Sequence, residues 1–206
     1  MKKSDLYQIL TGVFVGTLLI SNILASKTFA INDIILPSAV IIFPIVYVIN
    51  DILAEIYGFK KARSVILLGF CMNLFAVFAY NISILLPAPS FSTETAEAFK
   101  LVLGNTPRIL LASFTAYIIG SLVNAKIMEY LKLKFENKLM FRCVVSTIAG
   151  ESLDALIFIT IAFLGTMSMN NLITMIIAQA TFKVLFEVIF YPFTKLVISK
   201  VKLLKD

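Results

Sequence analysis

The sequence predicts an all-α integral membrane protein, with six transmembrane helices in one bundle and the N-terminus and C-terminus both cytoplasmic. Three observations carry this prediction. Of 206 residues, 60% are hydrophobic and 15% charged, against roughly 25% charged in an ordinary soluble domain, and mean hydropathy is +0.96. The apolar residues gather into six runs, each near the ~20 residues a helix needs to cross the hydrocarbon. The cations between those runs fall almost wholly on one side if successive runs alternate in direction.

The runs lie at about residues 7–26, 37–58, 64–86, 107–131, 141–165 and 172–194. The first follows "MKKSD" and has the flanks of a signal peptide, yet it holds Ser21 and Asn22 and leads straight into further spans, so it reads as the first of six. The second run ends in "VYVINDILAEIYGFKKAR", residues 46–63. There Asp51 and Glu55 stand one helical turn apart, and Gly58 lets the chain turn tightly into Lys60, Lys61 and Arg63. Pro44 in the second run and Pro192 in the sixth each remove a backbone donor, which predicts kinked helices. The long connection at residues 87–106 reads "PAPSFSTETAEAFKLVLGNT". Pro87 and Pro89 break the third run, and Ser92 to Leu103 has acids early and apolar residues late, the pattern of a short helix on the membrane surface. It reads equally as a lid over an outward mouth or as a solvated turn. Pro107 then suits the first turn of the fourth helix.

With the N-terminus inside, every basic residue except Lys27, Lys100, Arg108 and Lys183 faces the cytoplasm, including the loops at 59–63 and 132–140. The net charge of +6 is then a topology signal and an attraction to anionic lipid headgroups; no basic stripe with interleaved aromatics suggests nucleic acid. Cys71 and Cys143 lie in predicted spans and act as small apolar residues; with no histidine in the chain, no zinc or other metal site is expected. The connections are too short for a nucleotide-binding module. One transmembrane domain, residues 1–206, with no cofactor and with membrane lipid as a partner, is the resulting expectation.

Ionisable groups inside the hydrocarbon cost about 2.5–3.5 kcal/mol each on insertion scales, so a chain that keeps several uses or pairs them. Asp51 and Glu55 lie in the second run, Glu151 and Asp154 near the centre of the fifth, and Lys183 and Glu187 in the sixth. Spacing of four puts Phe43, Tyr47, Asp51 and Glu55 on one face, and Gln179, Lys183, Glu187 and Tyr191 on another. Phe158 follows Asp154 one turn on, and Asn22, Asn50, Asn73, Asn124 and Arg108 add hydrogen-bonding groups. Two readings stand. Lys183 pairs with Glu187 or Asp154 and locks helix register, or these groups line a solute site, with carboxylates accepting paired donors, lysine and amides meeting acceptors, and aromatic faces stacking on a flat ring. The surplus of acids over the one central lysine favours the second. The inventory fits a small, planar, donor-rich heterocycle. An intramembrane enzyme is the rival reading, because paired acids can do acid and base work, but no metal-protease motif, phosphate-cradling loop or activated nucleophile accompanies them.

"FPIVYVINDILAEIYGFKKAR" at 43–63, "SN" at 21–22, "SFTAYIIG" at 113–120, "GESLDALIFITIAFLG" at 150–165 and "FKVLFEVIFYP" at 182–192 together resemble the queuosine-precursor transporters, a vitamin uptake family distantly related to the substrate-binding components of energy-coupling-factor transporters. The resemblance runs along the whole chain in the right order. It implies a six-helix importer, in the cell membrane, of 7-deazaguanine bases: queuosine precursors or queuine, salvaged for tRNA modification. A component serving another vitamin-like heterocycle with a separate ATPase module is the alternative. The family's polar positions fall here on Asn22, Asp51, Glu55, Arg108, Asp154 and Lys183. Ser121 and Asn124 depart from its usual Gln and Asp, and Glu151 replaces what is commonly an amide. Under this resemblance Asp154 or Asp51 accepts from the donor edge of the base, Lys183 donates to its carbonyl, and Tyr47 or Phe158 stacks. Glu151 favours ligands carrying a cationic amine, and Glu55 and Glu187 serve gating or coupling. Six helices are few for a whole pathway, which makes a homodimer a reasonable expectation.

Overall fold

The computed structural model of the chain describes residues 2–32, 34–135 and 139–202, without the side chains of some helical residues. Lys138 and Lys205 lie outside the described residues, as do the side chains of Lys132, Arg142, Cys143, Tyr191 and Lys202. The structure is 85% helical. In order it comprises α1 (Lys3–Leu24), β1 (Thr28–Ile31), β2 (Ile34–Pro37), a 3₁₀ turn (Ser38–Ile41), α2 (Phe43–Tyr57), α3 (Phe59–Leu85), a 3₁₀ turn (Ser90–Ser92), α4 (Thr93–Leu103), α5 (Thr106–Lys134), α6 (Leu139–Phe163) and α7 (Met169–Lys202).

Among the described residues, five segments are long and apolar enough to cross a membrane: Lys3–Leu24, Lys60–Leu85, Ser90–Asn124, Val144–Phe163 and Met169–Phe190. Their exposed surfaces carry Leu67, Leu74, Phe75 and Phe78 on α3, and Leu111 and Leu122 on α5. A surface this apolar calls for lipid. The chain is thus a multi-pass membrane protein.

The second predicted span differs from expectation. Instead of one helix over 37–58, the chain forms the turn Ser38–Ile41 and then a helix of 15 residues. Pro44 explains part of this. It sits in the first turn of α2, where a missing N–H forfeits no helical bond, so it helps to start the helix and does not kink it. Pro192 does lie inside α7, as expected. The segment Thr93–Leu103 is helical, and α5 takes in Pro107 in its first turn.

The hairpin of β1 and β2 was not anticipated. Its signal is present in the sequence as two short β-favouring runs, "TFAI" and "IILP", separated by Asn32 and Asp33. Asn32 takes φ 52°, the left-handed conformation that a tight hairpin turn requires and that Asn tolerates.

The chain packs as two compact units. The first comprises residues 1–27, 37–110 and 189–206. Within it, Phe14 and Leu18 of α1, Val46, Ile49 and Leu53 of α2, and Ala62 and Val65 of α3 form one buried apolar cluster. Spacings of three and four put these residues on one stripe of each helix. Tyr7 near the start of α1 makes an edge contact with Tyr57 at the end of α2, centroids 5.1 Å apart. The Tyr57 hydroxyl donates to the Lys3 carbonyl at 2.7 Å, so α2 runs antiparallel to α1. Gly69 of α3 lies against Leu18 and Phe14, and Asn22 meets Asn73 further along both helices, so α3 runs parallel to α1. Gly58, with φ 81°, joins α2 to α3 in a conformation that favours glycine.

The second unit comprises residues 28–36 and 111–188. Ala112 of α5, Ile159, Ala162 and Phe163 of α6, and Leu172 and Met175 of α7 are its core, with Ile35 of β2 packed on it. Glycine governs the approach of α5 to α6. A Cβ on Gly120 would lie 2.9 Å from Asp154 Cβ and 3.0 Å from the Gly150 carbonyl oxygen. A Cβ on Gly150 would lie 2.8 Å from Asn124 Cβ and 3.0 Å from the Gly120 carbonyl oxygen. Each glycine is therefore the space into which the other helix fits. A Cβ on Gly12 or Gly16 of α1 would have nothing within 4 Å. Gly120→Ala and Gly150→Ala should each lower the melting temperature in detergent, by an overpacking cost of roughly 1–3 kcal/mol. Gly16→Ala should leave it unchanged or raise it through better helix propensity, by up to about 1 kcal/mol. Thermal unfolding of the three variants followed by circular dichroism checks this; equal effects would remove the close-packing argument.

Candidate functional site

A buried polar cluster of the second unit is built from two facing helices. Lys183 of α7 and Asp154 of α6 are each 8% exposed. The Lys183 ammonium donates to Asp154 Oδ2, and its Nζ lies 3.4 Å from Glu151 Oε2. Further along α7, Glu187 Oε1 accepts from the Thr147 hydroxyl at 2.9 Å. The contacts therefore run 147 to 187 and 151 to 183, which is an antiparallel register in steps of one turn on both helices. Carried further, the same register sets Ala155 opposite Gln179 and Ile159 opposite Met175; the last two share the apolar core.

This arrangement follows from spacing. Residues 147, 151, 155 and 159 form one face of α6, while Ser146, Gly150 and Asp154 form the neighbouring face. Gly150 and Asp154 meet Asn124 and Gly120 of α5, so Asp154 has its backbone side against α5 and its carboxylate on Lys183. The glycine contact thereby positions an acid.

The cluster carries one cation and two carboxylates, with a third acid, Glu187, one turn away. A cation in a low-dielectric setting needs close groups of opposite charge, and Lys183 has two carboxylates beside it, so the three groups together sum to a negative charge. Such a group accepts hydrogen bonds from a donor-rich ligand edge or takes up a cation or a proton. Of the two pairings for Lys183 weighed from the sequence, the interhelical one with Asp154 is present, joined by Glu151.

Phe158 is partly buried against the apolar core, in edge contact with Phe163 at 6.3 Å between centroids. Thus Glu151, Asp154, Phe158, Lys183 and Glu187 belong to the second unit, and Asn22, Tyr47, Asp51, Glu55 and Arg108 to the first. In the first unit, buried Asn22 donates through Nδ2 to Asn73 Oδ1 at 2.6 Å, and Asn73 donates to the Gly69 carbonyl at 2.9 Å. Tyr47 stands in edge contact with Phe43 at 5.1 Å, as their spacing of four requires. Asp51 and Glu55 are on the exposed side of α2, opposite the residues that enter the core, so Asp51 is not buried inside this unit as its depth in the apolar run suggested. Arg108 is half-buried near the start of α5. Cys71 is exposed on α3. Thr147 is a polar partner that the sequence does not single out, because a lone threonine in an apolar helix is unremarkable until the facing Glu187 is known.

The model of a family described as "Putative vitamin uptake transporter" matches residues 37–197 of the chain. Over 127 residues the chain is 28% identical to a protein of Bacillus subtilis (strain 168) named "Probable queuosine precursor transporter", covering 61% of this chain and 55% of that relative. The chain thus spans little more than half of the relative's length. No solved structure matches the chain.

Removing one partner of a buried charge cluster costs about 3–5 kcal/mol, because the remaining charge is left uncompensated. Lys183→Met should accordingly reduce the amount of folded protein extracted and lower its melting temperature. Adding Asp154→Asn should restore most of that loss by removing one of the two stranded carboxylates. Full stability in the single variant would show that the cluster contributes nothing to the fold.

Proposed function

We propose, since the chain belongs to the vitamin uptake transporter family, that it imports a small planar nitrogen heterocycle of the 7-deazaguanine class, a queuosine precursor or queuine, across the cytoplasmic membrane. The observation that carries this reading is the net negative cluster of Glu151, Asp154 and Lys183 in the spanning helices. Asp154 and Glu151 accept from the two N–H groups of the exocyclic amine, and Lys183 donates to the ring carbonyl. Phe158 supplies an aromatic face nearby. Binding then redistributes charges already held together, so the lysine changes partners without being left bare. The name of the Bacillus relative supports the substrate class.

The chain acts as one transmembrane domain with six crossings. The turn Ser38–Ile41 and α2 together rise about 30 Å at ~2.0 and ~1.5 Å per residue, which is close to the hydrocarbon thickness. Within the first unit α1, α2 and α3 alternate in direction, as successive crossings must. Both termini face the cytoplasm, on the distribution of cations. Asp51 and Glu187 serve the solute or proton pathway, Glu55 a cytosolic latch beside the basic residues at 60–63, and Asn22, Tyr47 and Arg108 line the pathway in the first unit.

Uptake of labelled queuine, the aminomethyl precursor and guanine in cells lacking queuosine synthesis tests the substrate class. The chain should restore accumulation of at least one 7-deazaguanine and give little with guanine; guanine uptake alone would overturn the assignment. Asp154→Asn with Lys183→Met, expected to fold, should not transport.

Orientation is checked with Cys71→Ala and Cys143→Ala as background and a new cysteine at Lys61 or Thr95. An impermeant thiol reagent applied to intact cells should label position 95 and spare 61. The reverse pattern sinks the topology.

A further inference from the structure

Gln179 lies on α7 one turn before Lys183 and is 5% exposed. Its Oε1 is fully buried and accepts no hydrogen bond in the structure. A buried amide oxygen left this way is destabilising, and native proteins hold few of them. The surroundings explain why nothing in the fold relieves it. In the register of α6 against α7, the residue opposite is Ala155, 0% exposed and without a polar side chain. One turn to one side is Met175 of the apolar core. One turn to the other is Lys183, whose ammonium is engaged by Asp154 and Glu151. The charge cluster one turn along is the site already assigned to substrate.

We propose that Gln179 is a specificity-determining contact that reads a cyclic-amide edge of the transported base. This rests on the functional reading above. A primary amide sets an acceptor beside a donor, so it pairs in two bonds with a ring N–H adjacent to a ring carbonyl. The carboxylates accept only, and Lys183 donates only. Each of them meets one kind of atom on the ligand, whereas Gln179 reads the ring N–H and the carbonyl of a lactam together. The unrelieved amide oxygen is then a cost carried by the empty transporter and removed by the correct ligand. A ligand lacking the lactam leaves the amide unpaired and is rejected, as sites built around a buried polar group reject analogues that fail to pair with it.

The test is binding in detergent of two probes, 7-deazaguanine and 7-deaza-2-aminopurine, which keeps the amino group and lacks the carbonyl. The parent protein should prefer the first by about 100-fold or more. Gln179→Met, close in volume and apolar, should bring the preference below about tenfold while the ligand-free melting temperature stays level or rises, since an orphaned polar atom has been removed. Should that variant fail to fold, Gln179→Asn, which draws the amide back by one methylene, replaces it with the same expected loss of preference. A parent that binds both probes equally overturns the proposal about Gln179 and leaves the functional reading standing. So does a folded variant that keeps the parent's preference, because packing or water then satisfies the amide. A parent that binds neither probe overturns the functional reading, and the role of Gln179 with it.

Discussion

A lysine ammonium held between two carboxylates inside membrane-spanning helices is the constraint around which the second unit is arranged. Ions in a medium of low dielectric are tolerated only with close partners of opposite charge. Lys183 therefore dictates where α6 stands against α7, since Asp154 and Glu151 must both reach it. Once that register is set, the hydrogen bond from Thr147 to Glu187 falls one turn away and the Ile159 and Met175 layer falls two turns the other way. Apolar side chains alone would not choose this register, because lipid tails solvate leucine about as well as another helix does.

The same charge cluster explains the glycines. Asp154 occupies a position on α6 next to α5, and its Cβ lies where a side chain on Gly120 would otherwise stand. A helix presenting an acid to one neighbour and its backbone to another needs that second neighbour to be smooth. Gly120 and Gly150 provide the smooth contact, and Ala112 and Ala116, 0% and 1% exposed, extend it along α5. In the first unit the approach of α1 to α3 is closed by Gly69 and by the Asn22 and Asn73 amides, a neutral hydrogen-bonded lock. One unit is thus registered by ions and the other by amides. The Asn73 amide is engaged on both its oxygen and its nitrogen.

The two acid pairs also differ in setting. Glu151 and Asp154 stand three apart and converge on one cation. Asp51 and Glu55 stand four apart on the exposed side of a helix whose opposite side fills the core. Depth in an apolar run said that both pairs were expensive; it did not say which was enclosed by its own helical neighbours.

Composition and period alone determined that the chain enters a membrane, where most helices begin and end, and which residues share a face. Those properties follow from length, hydropathy and the 3.6-residue turn, which are local. Gly58 as a turn and the face shared by Phe43 and Tyr47 were legible for the same reason. Several features belonged to tertiary structure. The reduction of the second run to a 3₁₀ turn and a 15-residue helix depends on where Pro44 falls in the first turn. The pairing of Lys183 with Asp154 and Glu151 depends on the register between two helices far apart in sequence. The glycine contact and the unrelieved amide of Gln179 depend on what faces them. Spacing along one helix fixes angle and height, but the neighbour across the gap is set by packing, and that neighbour decides whether a polar group is a lock, a ligand contact or a cost.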